Sequence, residues 1–168
     1  VTSEDVRWTY EDFIFNTRIE AERSRSTLDM IEKVDVIDEH TVEFVFNNAL
    51  FTNLSYTLGS YILPKHVYSG LEESTINQST GLLAGSGPFR LKTLNVDDQW
   101  KPGEDIVIVR NERYWGSELA PLDSLRFKVI KEQTAALVGY RNGDGDMITP
   151  SSTQYDTLRS DTDFLGEN

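Results

Sequence analysis

Cysteine is absent from this chain of 168 residues, which excludes disulfides, thiolate metal sites and cysteine nucleophiles together. Basic charge is scarce as well: 16 Lys and Arg stand against 28 Asp and Glu, for a net charge of −12. No basic stripe runs along the sequence, and neutralising phosphates takes clustered cations, so nucleic acid is excluded as a partner. Apolar runs are short, and none approaches the roughly 18 to 20 residues that a membrane-spanning helix needs. The first residues also lack the basic and apolar regions of a signal peptide, so any export signal is expected upstream of Val1. Histidine occurs only as His40 and His66, and neither has the partner four residues away that a zinc-binding helix shows.

What is present is enough for a folded core. Hydrophobic residues make up 38% and aromatics 11%, a globular rather than disordered composition. Thr2 with Asp5 forms a capping-box pattern, and Val6, Tyr10, Phe13, Ile14 and Thr17 recur at helical spacing, which predicts a first helix with one buried face. Trp8 lies off that stripe and reads as a packing residue rather than a ligand platform. The polar run 20–26 is expected to break the helix, with Ser24 or Ser26 capping a short one that reaches Ile31. Residues 33–37 and 41–46 alternate apolar and polar around Asp38-Glu39-His40, the pattern of a hairpin with one solvated face. Residues 51–58 read as a short helix or turn, Pro64 as the opening of another helix, and 70–85 as a surface connection.

Strand signals dominate from Phe89 onward, over 89–94, 106–109 and 125–130. Lys101-Pro102-Gly103-Glu104 places Pro and Gly for a type II turn between the first two. A helix is predicted over 134–140, a short strand over 147–149 and a last helix capped by Ser151 or Ser152. Trp115 is expected to be buried at a strand end. The composition divides the chain into a helix-hairpin-helix part, 1–84, and a mixed-sheet part, 85–168.

Catalytic patterns are weak. Nothing among 28 acidic residues selects a general acid and base pair. Gly85-Ser86-Gly87 has the wrong spacing for a nucleophile elbow and lacks the Lys of a phosphate loop, so it reads as a tight turn where no Cβ fits. Asn142-Gly143-Asp144-Gly145-Asp146 fails the calcium-loop pattern, because Met147 stands where Gly is needed and Thr153 where a bidentate Glu is needed. Arg110, Arg113, Tyr114 and Trp115 could stack on bases or sugars, but in so acidic a chain they read as strand-end anchors.

Three segments in order carry a resemblance: Gly85-Ser86-Gly87-Pro88-Phe89-Arg90-Leu91, then Arg110-Asn111-Glu112-Arg113-Tyr114-Trp115-Gly116, then Pro121-Leu122-Asp123-Ser124-Leu125-Arg126-Phe127. Together they resemble the central part of the family 5 extracellular solute-binding proteins, the peptide, dipeptide and nickel receptors of ABC importers. Val1-Thr2-Ser3-Glu4-Asp5-Val6, Ile62-Leu63-Pro64-Lys65-His66 and Asn142-Gly143-Asp144-Gly145-Asp146 extend the likeness over nearly the whole chain.

The resemblance implies an α+β or α/β fold, namely a fragment of one lobe of a type II periplasmic-binding-protein-like structure, with a mixed sheet and flanking helices. The second lobe is expected outside the chain. It further implies a non-enzymatic, extracytoplasmic receptor, without cofactor or metal, that captures a peptide or similar small solute between lobes and passes it to a membrane permease. Arg25, Ser26, Tyr56 and Gly59 are the ligand-binding residues this implies. Two other classes stay open at this point: a carboxylate-based hydrolase of peptides or sugars, and a structural interaction module. A chain cut from a larger sheet is also expected to pair with a second copy of itself.

Overall fold

A computed structural model describes residues 1–162; the last six residues of the expected 85–168 part lie outside the described residues. The elements form two compact units, Val1–Pro102 with Val107–Leu125, and Gly103–Ile106 with Arg126 onward.

The first unit begins with α1 (Ser3–Trp8). The Asp5 carboxylate closes its first turn by accepting the Thr2 N–H at 2.8 Å. The same carboxylate accepts the Lys65 N–H at 2.8 Å, so one side chain serves the starts of two helices. Burial pushes the Asp5 carboxyl up, but these N–H groups and the Thr2 hydroxyl outweigh it and hold its pKa below the usual carboxylate value. A π-helical turn, Thr9–Ile14, follows. It carries Tyr10, Phe13 and Ile14 inward but leaves Thr17, expected on the same stripe, exposed, because the wider turn alters the angular spacing of side chains. Trp8 is buried against Phe13 and Tyr68, the packing role expected of it.

The first helical segment has ended before the polar run, and α2 (Glu22–Thr27) forms within that run, but it opens after Ala21 rather than at Ser24 or Ser26, and Ile31 opens a strand instead of ending a helix. The Arg25 guanidinium ties the loop before α2 to that helix through the carbonyls of Ile14, Asn16 and Ile19. β1 (Ile31–Asp38) and β2 (Thr41–Phe46) make the expected antiparallel hairpin. An irregularity between Ile31 and Lys33 resets the alternation, so Ile31 and Val34 both face the core. Tyr10 meets Phe44 edge-on at 5.0 Å, and the Val34 N–H donates to Glu11 Oε1 at 3.1 Å. Tyr10, Ile14, Leu28, Met30, Ile31 and Val34 form the main core. α3 (Asn53–Leu58), α4 (Lys65–Tyr68, opened by Pro64) and α5 (Glu73–Gln78) complete this region.

β3 (Phe89–Leu91) pairs antiparallel with β4 (Ile106–Arg110), and β5 (Ser124–Phe127) completes a three-stranded sheet in the order β3-β4-β5. The expected hairpin is therefore present, but β3 stops three residues early. Gly103 takes the left-handed φ of 95° that the third position of a type II turn requires. Gly85 and Gly87 differ from expectation. Neither has a left-handed φ, and an added Cβ would meet no atom within 4 Å at Gly85 and only the Phe89 carbonyl oxygen, at 3.9 Å, at Gly87. What fixes that segment is Asn111, whose amide donates to the Gly87 carbonyl at 2.9 Å.

Trp115 is 79% exposed, against the expectation of burial. It follows the end of β4 in an irregular stretch, where the Tyr114 ring, centred 5.4 Å away, is its aromatic neighbour. Gly116 lets Tyr114 take that place, since a Cβ there would stand 2.2 Å from Tyr114 Cε1.

In the second unit, α6 (Gln133–Arg141) and α7 (Ser152–Leu158) form as expected. Ser151 caps α7 by accepting the Gln154 N–H at 3.3 Å. Residues 147–149 are irregular, not a strand, as no neighbouring strand offers them a ladder.

Candidate functional site

The four residues expected at a ligand site fall on two elements. Arg25 and Ser26 lie on α2; Tyr56 lies on α3, with Gly59 just beyond it. Among the described residues no hydrogen bond joins one pair to the other.

Arg25 is committed to the backbone. Its guanidinium donates to the Ile14 and Asn16 carbonyls at 2.7 Å each, to the Ile19 carbonyl at 2.8 Å and to Glu22 Oε1 at 3.1 Å. The planar fork of arginine suits such a set of converging acceptors, and with a side chain 18% exposed it anchors the loop that follows the π-helical turn. That loop is gripped from the other side by α5: the Glu20 N–H donates to Asn77 Oδ1 at 2.9 Å, and the Asn77 amide donates to the Arg18 carbonyl at 2.9 Å. Ser26 turns its hydroxyl back to the Glu22 carbonyl at 2.8 Å.

α3 has an unusual arrangement of faces. Asn53 and Thr57, one helical turn apart, are buried, and Asn53 Oδ1 and Thr57 Oγ1 have no hydrogen-bond partner among the described residues. The Tyr10 hydroxyl donates to the Thr57 carbonyl at 2.6 Å, and the Asn53 amide donates to the Asn48 carbonyl at 3.0 Å. Burial raises the Tyr10 phenol pKa, with a hydrogen bond to Ser60 pulling the other way. Tyr56 is half exposed, while Leu54, Leu58 and the flanking Phe51 and Tyr61 are more so. Sequence reasoning did not single out the exposure of these four residues. The signal was available in the absence of any charged residue from 44 to 64.

Two cavities lie elsewhere. One of about 170 Å³ sits in the first unit among Phe13, Leu63, Tyr68, Ile76 and Leu82. One of about 440 Å³ in the second unit is lined mainly by Tyr140, Met147, Ile148, Pro150, Tyr155 and Leu158. No cluster of His, Asp and Glu able to hold a metal ion occurs among the described residues. The displaced carboxylates, Glu4, Asp5, Asp38 and Glu73, all move down, the opposite of a general acid held protonated.

Residues 1–166 match the family described as bacterial extracellular solute-binding proteins, family 5 Middle. The chain is similar to the peptidoglycan-binding protein YepA of Agrobacterium fabrum, 29% identical over 95% of this chain and 26% of that protein. It is also similar to the oligopeptide-binding protein AppA of Bacillus subtilis, 30% identical over 94% of this chain and 28% of AppA. AppA solved in complex with a nonapeptide superposes with a TM-score of 0.75, at 27% identity, over 94% of this chain and 30% of that one. The dipeptide-binding protein of Pseudoalteromonas sp. SM9913 shares the fold, with a TM-score of 0.76 at 20% identity over 96% of this chain and 33% of that one. The chain thus spans about a quarter of the length of the curated relatives it matches.

Proposed function

The chain belongs to the bacterial extracellular solute-binding proteins of family 5, with the α+β architecture of a type II periplasmic binding protein lobe, and on that premise we propose that it forms one wall of a peptide receptor. The receptor captures a peptide, or a similar small solute, in a cleft between two lobes outside the cytoplasm and delivers it to the permease of an ABC importer. The observation that carries this reading is the likeness to AppA, solved with a nonapeptide. Closure around the ligand is driven by contacts made only in the closed state.

Tyr56 and Gly59 supply the ligand-proximal surface of α3 in this reading. Ser26 lies at the exposed surface of α2, and Arg25 serves by holding its loop through the three carbonyls. The chain acts in this reading by binding rather than by catalysis, supported by its match to a family of solute-binding proteins.

Calorimetry with short mixed peptides tests the proposal. One wall alone loses contacts while the cost of restraining a flexible peptide remains, so the 168 residues by themselves should bind no tighter than about millimolar, and the complete receptor at about micromolar or better. Micromolar binding by the 168 residues alone would overturn the one-wall reading; a complete receptor that binds no peptide would overturn the peptide reading. The isolated chain is also expected to pair with a second copy along β3 or β5, the outer strands of their sheet. A monomer at every concentration in sedimentation, at salt high enough to screen the repulsion, would refute that.

A further inference from the structure

We propose that Asn142 is a site of self-modification, where the side-chain amide is lost to attack by the backbone nitrogen of Gly143 at a rate set by opening of the last turn of α6. The proposal does not depend on what the receptor binds.

Asn142 is followed by a glycine, which has no Cβ to shield its own nitrogen. No side-chain hydrogen bond holds the Asn142 amide among the described residues. In the reaction the Gly143 nitrogen bonds to Asn142 Cγ, the Cγ–Nδ2 bond breaks, and the side-chain nitrogen leaves as ammonia with the proton that Gly143 gives up. The product is a cyclic imide. Water then splits one of the two carbonyl bonds to the ring nitrogen, giving an aspartate or its isomer linked through Cβ. Nothing is oxidised or reduced, and water is the co-reactant.

The folded geometry restrains the first step. Asn142 closes α6 with φ −83° and ψ 0°, and Gly143 follows at φ 79°. The Gly143 N–H donates to the Tyr140 carbonyl at 3.0 Å and the Asp144 N–H to the Gly139 carbonyl at 2.9 Å, the paired bonds of a Schellman turn. A ψ of 0° brings the Gly143 nitrogen beside the backbone nitrogen of Asn142 and away from its side chain. Ring closure therefore requires rotation about the Asn142 Cα–C bond, which pulls the Gly143 N–H off Tyr140. The Lys128 ammonium adds a further tie by donating to the Asp144 carbonyl. All these partners belong to this chain, so the restraint is present whatever packs outside it. Reaction also undoes its own restraint: either product puts a negative charge at the C-terminal end of α6, where the helix dipole opposes it.

The test incubates the complete receptor at mildly alkaline pH, which favours loss of the Gly143 amide proton, once folded and once in guanidinium chloride. Trypsin then releases residues 142–159, a segment with no other asparagine. Mass spectrometry reads the gain that accompanies exchange of an amide for an acid, and fragment masses assign it to Asn142. Opening a helix end costs less than global unfolding, so the folded receptor is expected to react roughly ten- to a thousandfold more slowly than the unfolded one. Equal rates would overturn the role of the turn. No gain in guanidinium chloride would overturn the site. A folded receptor that stays unmodified beyond a slowing of about a thousandfold would show that the turn does not open or that the rest of the receptor seals it, and would overturn the proposal.

Discussion

Hairpin β1/β2 and hairpin β3/β4 share an antiparallel register, but β1 buries Ile31 to 6% and Val34 to 2% exposure, whereas no side chain of β3 or β4 is fully buried. The same contrast runs along the chain. Ten of the eleven buried hydrophobic residues precede residue 83, and Leu158 alone follows it among those described. The difference lies in what covers each sheet. α1 and the π-helical turn lie on the first hairpin and deliver Tyr10 and Ile14 to it; β3 and β4 have no helix of their own unit delivering a comparable cluster. An alternating strand therefore becomes core only where a second layer is packed on it.

Replacing Tyr10 attacks the covered hairpin at its centre. Tyr10 is 1% exposed, so Tyr10→Ala should cost about 3 to 5 kcal/mol, read as a shift in urea midpoint at constant slope. Arg25 comes next. Arg25→Ala removes the donors of three backbone carbonyls and should cost about 2 to 3 kcal/mol; Arg25→Lys should recover only part, because a single ammonium cannot reproduce the fork. An Arg25→Ala protein with an unchanged midpoint would show that the loop is held by α5 alone.

Asp5→Asn should cost about 1 to 2 kcal/mol at neutral pH by weakening the caps of α1 and α4. The pH dependence has a defined sign. Since the folded pKa of Asp5 lies below its ordinary value, its contribution is fully present above about pH 4 and is lost as pH falls through the lower folded value. Asp5→Asn should therefore flatten the acid limb below about pH 4 and leave the slope between pH 5 and 8 unaltered; a change confined to neutral pH would contradict the assignment. Trp115→Ala is the smallest expected effect. At 79% exposure it should shift stability by no more than about 0.5 kcal/mol. A loss approaching that of Tyr10→Ala would remove the contrast between the two regions.

Much of this fold was legible locally. The Thr2–Asp5 cap, the hairpin around Glu39-His40, the Pro64 helix start, the Gly103 turn and the Ser151 cap each depend on residues within a few positions of one another. The misread features depend on distant partners. Trp115 was expected inside because large aromatics usually are, but no sequence signal states whether a second layer lies against it. Arg25 was placed near a ligand by the family resemblance, and what the sequence could not show is its set of acceptors, the carbonyls of Ile14, Asn16 and Ile19, which have no sequence signature at all. The outward face of α3 lay between these cases: its lack of charge was readable, its orientation was not.

By itself the sequence determined the family, the order of helices and strands, and the local caps and turns, because these rest on short-range backbone preferences and on motifs in register. Only the tertiary structure decided which apolar faces are covered, that Arg25 closes a loop, and that α3 hides Asn53 and Thr57 while exposing Leu54 and Leu58. Burial and hydrogen-bond satisfaction are properties of whatever packs opposite a side chain, and residues far apart in the chain supply that.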